Sequence, residues 1–198
     1  MRKNWAALAL TGMLCLTTFA GTQTVSAETA DSAKQVDIVF THDTHSHLNT
    51  FTTIVDEAEK EVGGFARINT LIQEQKAKNP DTLVIDGGDF SMGTLIQTVF
   101  ETQAAEIRML GYMGCDVTTL GNHEFDYRSK GLANMLNSAT ESGDDLPALV
   151  VCNVDWESME AAGLSEGQQL IRDAFDEYGV SDYVYWKRDT DIAVVGRF

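Results

Sequence analysis

Apolar and polar positions change period several times along the chain. Residues 36–40, "VDIVF", form a short β-branched run that predicts a buried strand. In residues 63–79 the apolar positions Phe65, Ile68, Leu71 and Ile72 recur at helical spacing, and Pro80 stops the pattern. Residues 82–86, "TLVID", predict a second strand, followed by a turn at "GGD". Residues 94–110 read as a helix with Gly111 at its end, and residues 116–120, "DVTTL", as a third strand. A helix over 129–138 and a strand within 147–154 follow. Residues 156–178 are acidic and less periodic, and predict a helix plus loop. "YVYWKR" and "DIAVVGRF" predict a strand pair that meets at residues 189–191.

Strands and helices alternate, so the chain is expected to be α/β, with a mostly parallel sheet and helical crossovers. The apolar run at residues 192–195 has the character of a core strand, yet the sequence stops a few residues later. Domains usually end in polar surface segments, so the expectation is a domain interrupted in its middle.

The first 27 residues follow a different pattern. Arg2 and Lys3 precede an apolar run over 6–20, and Val25-Ser26-Ala27 closes it with a small-residue cleavage site. This reads as a secretory signal peptide cleaved after Ala27, and as export to the periplasm, cell wall or medium. A stable membrane anchor is not expected, because the apolar run is shorter than the ~20 residues a span needs. Residues 28–35 are a polar leader, and residues 36–198 are the folded domain.

Charge narrows the choice of partners. The formal charge is −16, and cleavage would remove two basic residues and no acidic one, leaving −18. Such a surface repels nucleic-acid polymers, and it does not favour binding polyanions unless metal ions intervene locally. Cys115 and Cys152 lie at or in apolar strand-like segments; spacing leaves both a disulfide and two buried thiols open.

The candidate chemistry sits where strands end. "DTH" (Asp43 to His45) follows the first strand, "GGDF" (through Asp89) the second, and "GNHEFD" (with Asn122, His123 and Asp126) the third. In open α/β sheets ligands bind outside the carboxyl ends of the strands, so the three clusters should meet. Asp43 and His45, two apart in an extended segment, would point the same way and grip one cation. Glycines before Asp89 permit a tight turn, and its carboxylate could bridge two ions. Asn122 offers a neutral oxygen. Oxygen and imidazole donors suit zinc, manganese or iron, and a pair of ions ~4 Å apart can activate a hydroxide for attack on a phosphoryl group. His42 and His47 alternate away from the ligand pair and read as outer or surface residues.

These motifs, in this order and spacing, resemble those of the calcineurin-like metallophosphoesterases. "THDTHSHL", "GGFARINTLI" and "GNHEFDY" are similar, more narrowly, to the bacterial secreted 5'-nucleotidase/UDP-sugar hydrolase/2',3'-cyclic phosphodiesterase family. The resemblance covers about residues 36–154. It implies the N-terminal half of an αββα sandwich. It also implies two divalent metal ions, with Asp43 and His45 on the first, Asp89 bridging and Asn122 on the second, and His123 with Asp126 as catalytic dyad. The implied activity is hydrolysis of extracellular nucleotides. UDP-sugars, 2',3'-cyclic nucleotides and a non-catalytic binding module with a partial metal site remain as alternatives. The family draws further metal ligands from later histidines and grips the nucleotide with a C-terminal domain. This sequence has no histidine after His123. The expectation is therefore a portion with weak or no activity, with apolar surface open to self-association.

Overall fold

The computed structural model of the chain describes residues 36–188 and 191–196, with side chains up to residue 184. The signal peptide and leader expected over 1–35 lie outside the described residues. Four strands, β1 (Ile38–Thr41), β4 (Leu83–Asp86), β5 (Val117–Thr118) and β6 (Ala148–Leu149), form one sheet in the order β1-β4-β5-β6, and every pairing is parallel. The register Val39↔Val84 and Thr41↔Asp86 brings the carboxyl ends of β1 and β4 level. The α/β class and the parallel sheet with helical crossovers are as the alternating pattern implied.

Helices supply the crossovers. α1 (Phe65–Lys78) buries Phe65 and Ile72, carries Lys76 and Lys78 where the helix dipole favours cations, and ends at Asn79 before Pro80. The helix expected over 94–110 is broken. Thr94 caps a 3-10 turn (Leu95–Val99) through its hydroxyl, α2 covers Phe100–Gln103, and α3 covers Ala105–Tyr112. The break is Ala104, fully buried with φ 47°, where the backbone turns left-handed. Alanine is the best helix former, so local propensity gave no warning; packing overrode it. α4 (Arg128–Ser142) ends at Gly143, whose φ of 71° suits glycine.

The acidic segment expected as helix plus loop holds two helices, α5 (Trp156–Ala162) and α6 (Glu166–Tyr178). A reciprocal capping box starts α6: the Ser165 hydroxyl accepts from Gln168 N, and Ser165 N donates to the Gln168 side chain. A hairpin absent from the expected elements, β2 (Phe51–Val55) with β3 (Ala58–Val62), is antiparallel and mostly exposed. Phe51, Val55, Ala58 and Val62 share one face, but Thr53 and Lys60 interrupt it and the ribbon is mostly exposed, so the apolar pattern is weak. β7 (Tyr183–Arg188) pairs antiparallel with β8 (Asp191–Gly196) as a separate two-stranded sheet, at the segments where a second sheet was expected.

The core lies between the sheet and the helices. Val84 and Leu149 meet Phe65, Phe90, Phe100, Ile107, Leu132, Met135, Leu136 and Phe175, all at most 3% exposed. Side chains alternate across β1: Val39 packs toward this core, whereas Ile38 and Phe40 face the other way and are 56% and 59% exposed. Cys115 and Cys152 are free thiols, and burial pushes the Cys115 thiol up to about 12. Among the described residues no helix is long and apolar enough to cross a membrane.

Candidate metal centre

The three polar clusters do converge at the carboxyl ends of β1, β4 and β5. The loop after β1 runs beside the loop after β4 and is tied to it by three backbone bonds. Asp43 N donates to Gly88 O (3.0 Å), His45 N to Asp89 O (3.1 Å) and Ser46 N to Phe90 O (2.8 Å). Asp43 and His45 do not sit in extended chain. Both lie past the end of β1 with φ of 51° and 45°, as does Asp89 with φ 52°. The alternation expected of an extended segment therefore does not apply; a left-handed loop brings the two side chains together. Such conformations cost of order 1–3 kcal/mol per non-glycine residue and persist only where the surroundings over-determine them.

Two glycines make the close approach possible. Gly88 has φ +84°, and a Cβ there would lie 2.9 Å from the Leu120 carbonyl carbon. A Cβ on Gly121 would lie 2.6 Å from Asp89 N and overlap the Asp89 carboxylate. The loop after β5 can thus press against Asp89 only because position 121 has no side chain.

His45, Asp89 and His123 each present a ligand atom within 4.8 Å of the others'. His45 Nδ1 lies 3.1 Å from Ser91 O, a carbonyl that can only accept, so Nδ1 carries the proton. That leaves the Nε2 lone pair facing Asp43 Oδ1 at 3.4 Å. A proton or a cation shared between these two atoms would make their approach favourable. Asn122 shows the same feature. With its oxygen toward Asp89 Oδ2, 3.1 Å away, two acceptors face each other. With its nitrogen there, the amide donates to Asp89 and its oxygen accepts from His123 N at 3.3 Å. The first orientation suits a bound cation, the second a hydrogen-bonded site without one. Imidazole, carboxylate and amide oxygen together fit a divalent cation of the zinc, manganese or iron type.

His123 Nδ1 donates to Asp126 Oδ2 at 2.8 Å. This bond fixes the ring and raises the imidazole pKa above its ordinary value. The His45 and His123 rings meet edge to face with centroids 5.0 Å apart. Each residue expected at the site is thus at one place: Asp43, His45, Asp89, Asn122, His123 and Asp126. His42 is exposed but not remote, since its Nδ1 bonds Asp43 Oδ2 and holds that carboxyl below the usual range. His47 turns back to Thr44 O (3.2 Å) and packs on Phe51 of the β2–β3 hairpin. That hairpin flanks a cavity of about 310 Å³ beside Asp43 and His45, lined also by Phe65 and Ile68.

Two buried residues escaped the sequence reading. Glu124 is fully buried and accepts four bonds from the loops after β4 and β5. Glu106 of α3, also fully buried, accepts from Ser46 Oγ (2.7 Å) beneath the loop after β1. An acidic residue in a polar motif or on a helix reads as solvent-facing, so no local signal marked either.

Comparison with known proteins places the chain in a family. Residues 36–194 match the family model for calcineurin-like phosphoesterases. A Treponema pallidum protein described as a probable 5'-nucleotidase is 29% identical over 150 residues, covering 74% of this chain and 24% of that protein. A 5'-nucleotidase-related protein of Glossina morsitans morsitans is 32% identical over 151 residues, covering 73% of this chain and 26% of that protein. The crystal structure of a 5'-nucleotidase precursor from Thermus thermophilus superposes with a TM-score of 0.63 at 25% identity, over 81% of this chain and 28% of that one. The chain spans about a quarter of the length of these curated relatives.

Proposed function

Because the chain belongs to the calcineurin-like phosphoesterase family, we propose that it supplies the metal-binding loops of a metal-dependent phosphoric ester hydrolase of the 5'-nucleotidase type. The observation that supports this most is the placing of Asp89. Its carboxylate lies among the imidazoles of His45 and His123 and the amide of Asn122, at the ends of parallel strands. We assign Asp43 and His45 to one divalent cation, Asp89 to a bridge between two, and Asn122 to the second. Cations held there would supply Lewis-acid activation of water and of the phosphoryl group.

The chain's own contribution to the chemistry is His123. Its Nδ1–H is held by Asp126, which favours the protonated ring and leaves Nε2–H to stabilise charge on a phosphoryl or leaving-group oxygen. Nucleotides are the proposed substrates, since the matched relatives carry that name. UDP-sugars or 2',3'-cyclic nucleotides are the alternative. Residues 1–27 are proposed as an export signal, on their basic, apolar and small-residue order.

The sequence has no histidine after His123, so any further imidazole ligand would come from outside it. The chain alone should therefore bind divalent cations and hydrolyse nucleoside monophosphates weakly or not at all. Calorimetric titration with Mn²⁺ and Zn²⁺, paired with phosphate release from AMP, tests both parts. Absence of binding that Asp89→Ala would remove overturns the metal assignment. Robust turnover abolished by His123→Ala overturns the expected weakness.

A further inference from the structure

We propose that Glu124 is a positioning residue, a carboxylate clasp that holds Asp89 and Asn122 in place by joining the loops that carry them. The inference rests on the metal-centre reading above. Glu124 is fully buried, and each of its oxygens takes two donors. Oε1 accepts from Ser91 N at 3.0 Å and Ser91 Oγ at 2.8 Å. Oε2 accepts from Asp89 N at 3.0 Å and Gly121 N at 2.7 Å. One side chain thus fixes the backbone of the bridging ligand, of the residue two beyond it, and of the residue before Asn122.

The clasp accounts for the backbone of Asp89. Its left-handed conformation is costly for a non-glycine residue, and the bond from its own N–H to Glu124 is among the contacts that hold it. The same arrangement turns the Asp89 carboxylate so that Oδ1 accepts from His123 N at 2.9 Å. Bonds to an ionised acceptor are roughly twice as strong as neutral ones, and burial keeps water from competing.

A glutamine at this position cannot reproduce the clasp. It has one acceptor oxygen, and its amide nitrogen would face either the Ser91 N–H or the N–H groups of Asp89 and Gly121. The backbone donors that face that nitrogen then lose their acceptor, while shape and volume are kept. Partners that orient metal ligands typically contribute 10–100-fold to metal affinity.

The test compares the parent with Glu124→Gln, Ser91→Ala and, as a core control remote from these bonds, Met135→Ala. Two readouts are used. Amide hydrogen exchange under chelator follows the Asp89, Ser91 and Gly121 N–H groups without metal. Titration with Co²⁺, followed by visible absorption, gives the affinity. The expected result is loss of protection at amides of at least one of the two loops in Glu124→Gln and a Co²⁺ affinity lower by about 10-fold or more. Ser91→Ala, which removes one of the four bonds, should give a smaller loss, and Met135→Ala none. A folded Glu124→Gln with parental protection and affinity overturns the clasp. If Glu124→Gln does not fold, Ser91→Ala decides, and parental Co²⁺ affinity there overturns the proposal. A parent that binds no Co²⁺ overturns the metal reading instead, and the exchange data still decide whether Glu124 holds the loops.

Discussion

Replacing Glu106 by glutamine should change how stability depends on pH, in a direction the structure fixes. The Glu106 carboxyl is fully buried; Oε1 accepts from Ser46 Oγ, and Oε2 has no hydrogen-bond partner. Burial raises its pKa above the ordinary value of 4.5, and the charge of Glu124 acts in the same direction. The folded state therefore holds this proton more tightly than the unfolded chain. The stabilisation is complete below pH 4.5 and is lost as pH rises toward the folded pKa. The loss is at most about 1.4 kcal/mol per pH unit for one proton. Glutamine keeps the acceptor for Ser46 and never ionises. Near pH 4 the two proteins should differ by only about 1 kcal/mol, the scale of one hydrogen bond. Above that the variant should gain on the parent with every step in pH until the parent's carboxyl has ionised. Asp86 is also raised by burial, but it is common to both proteins and cancels in the difference. Urea unfolding of both proteins from pH 4 to 8, in chelator, measures the gap. A gap independent of pH would mean that Glu106 ionises as freely folded as unfolded, and the reasoning would fail. A gap that moves in the parent's favour would reveal a cation beside this carboxyl.

Asp126→Asn should lower the His123 pKa toward the ordinary histidine value, because the hydrogen bond to the Asp126 carboxylate is the main cause of its rise; the NMR titration of the His123 ring in chelator reports it. Phe100→Ala should cost about 3–5 kcal/mol in urea unfolding, since the ring is fully buried and stacks on Tyr127 with centroids 5.3 Å apart, and loss of under 1 kcal/mol would mean that this part of the core is loosely packed.

Much of the fold was legible because burial imposes a period. The helix α1 carries it plainly, with Phe65 and Ile72 buried on one face, while β4 is buried on both faces and reads as a continuous apolar run. The hairpin Phe51–Val62 was hidden because Thr53 and Lys60 interrupt its one apolar face, and the break at Ala104 because a buried left-handed turn leaves no mark in composition. The site was legible for a different reason. Asp43, His45, Asp89, Asn122, His123 and Asp126 are chemically conspicuous, and each follows a strand. Their shared strand edge can be inferred from topology alone.

The sequence by itself determined the parallel α/β order, the three ligand-bearing loops and the donor types they carry. Those properties depend on local periodicity and side-chain chemistry, which one strand of text contains. Only the tertiary structure decided that Asp43 and His45 meet through left-handed backbone rather than strand alternation. It alone placed Glu124 as a buried acceptor for Asp89, Ser91 and Gly121. A carboxylate becomes a clasp when backbone N–H groups some 30 residues apart are brought to it and water is excluded. Those conditions belong to the packed loops, and the identity of residue 124 does not encode them.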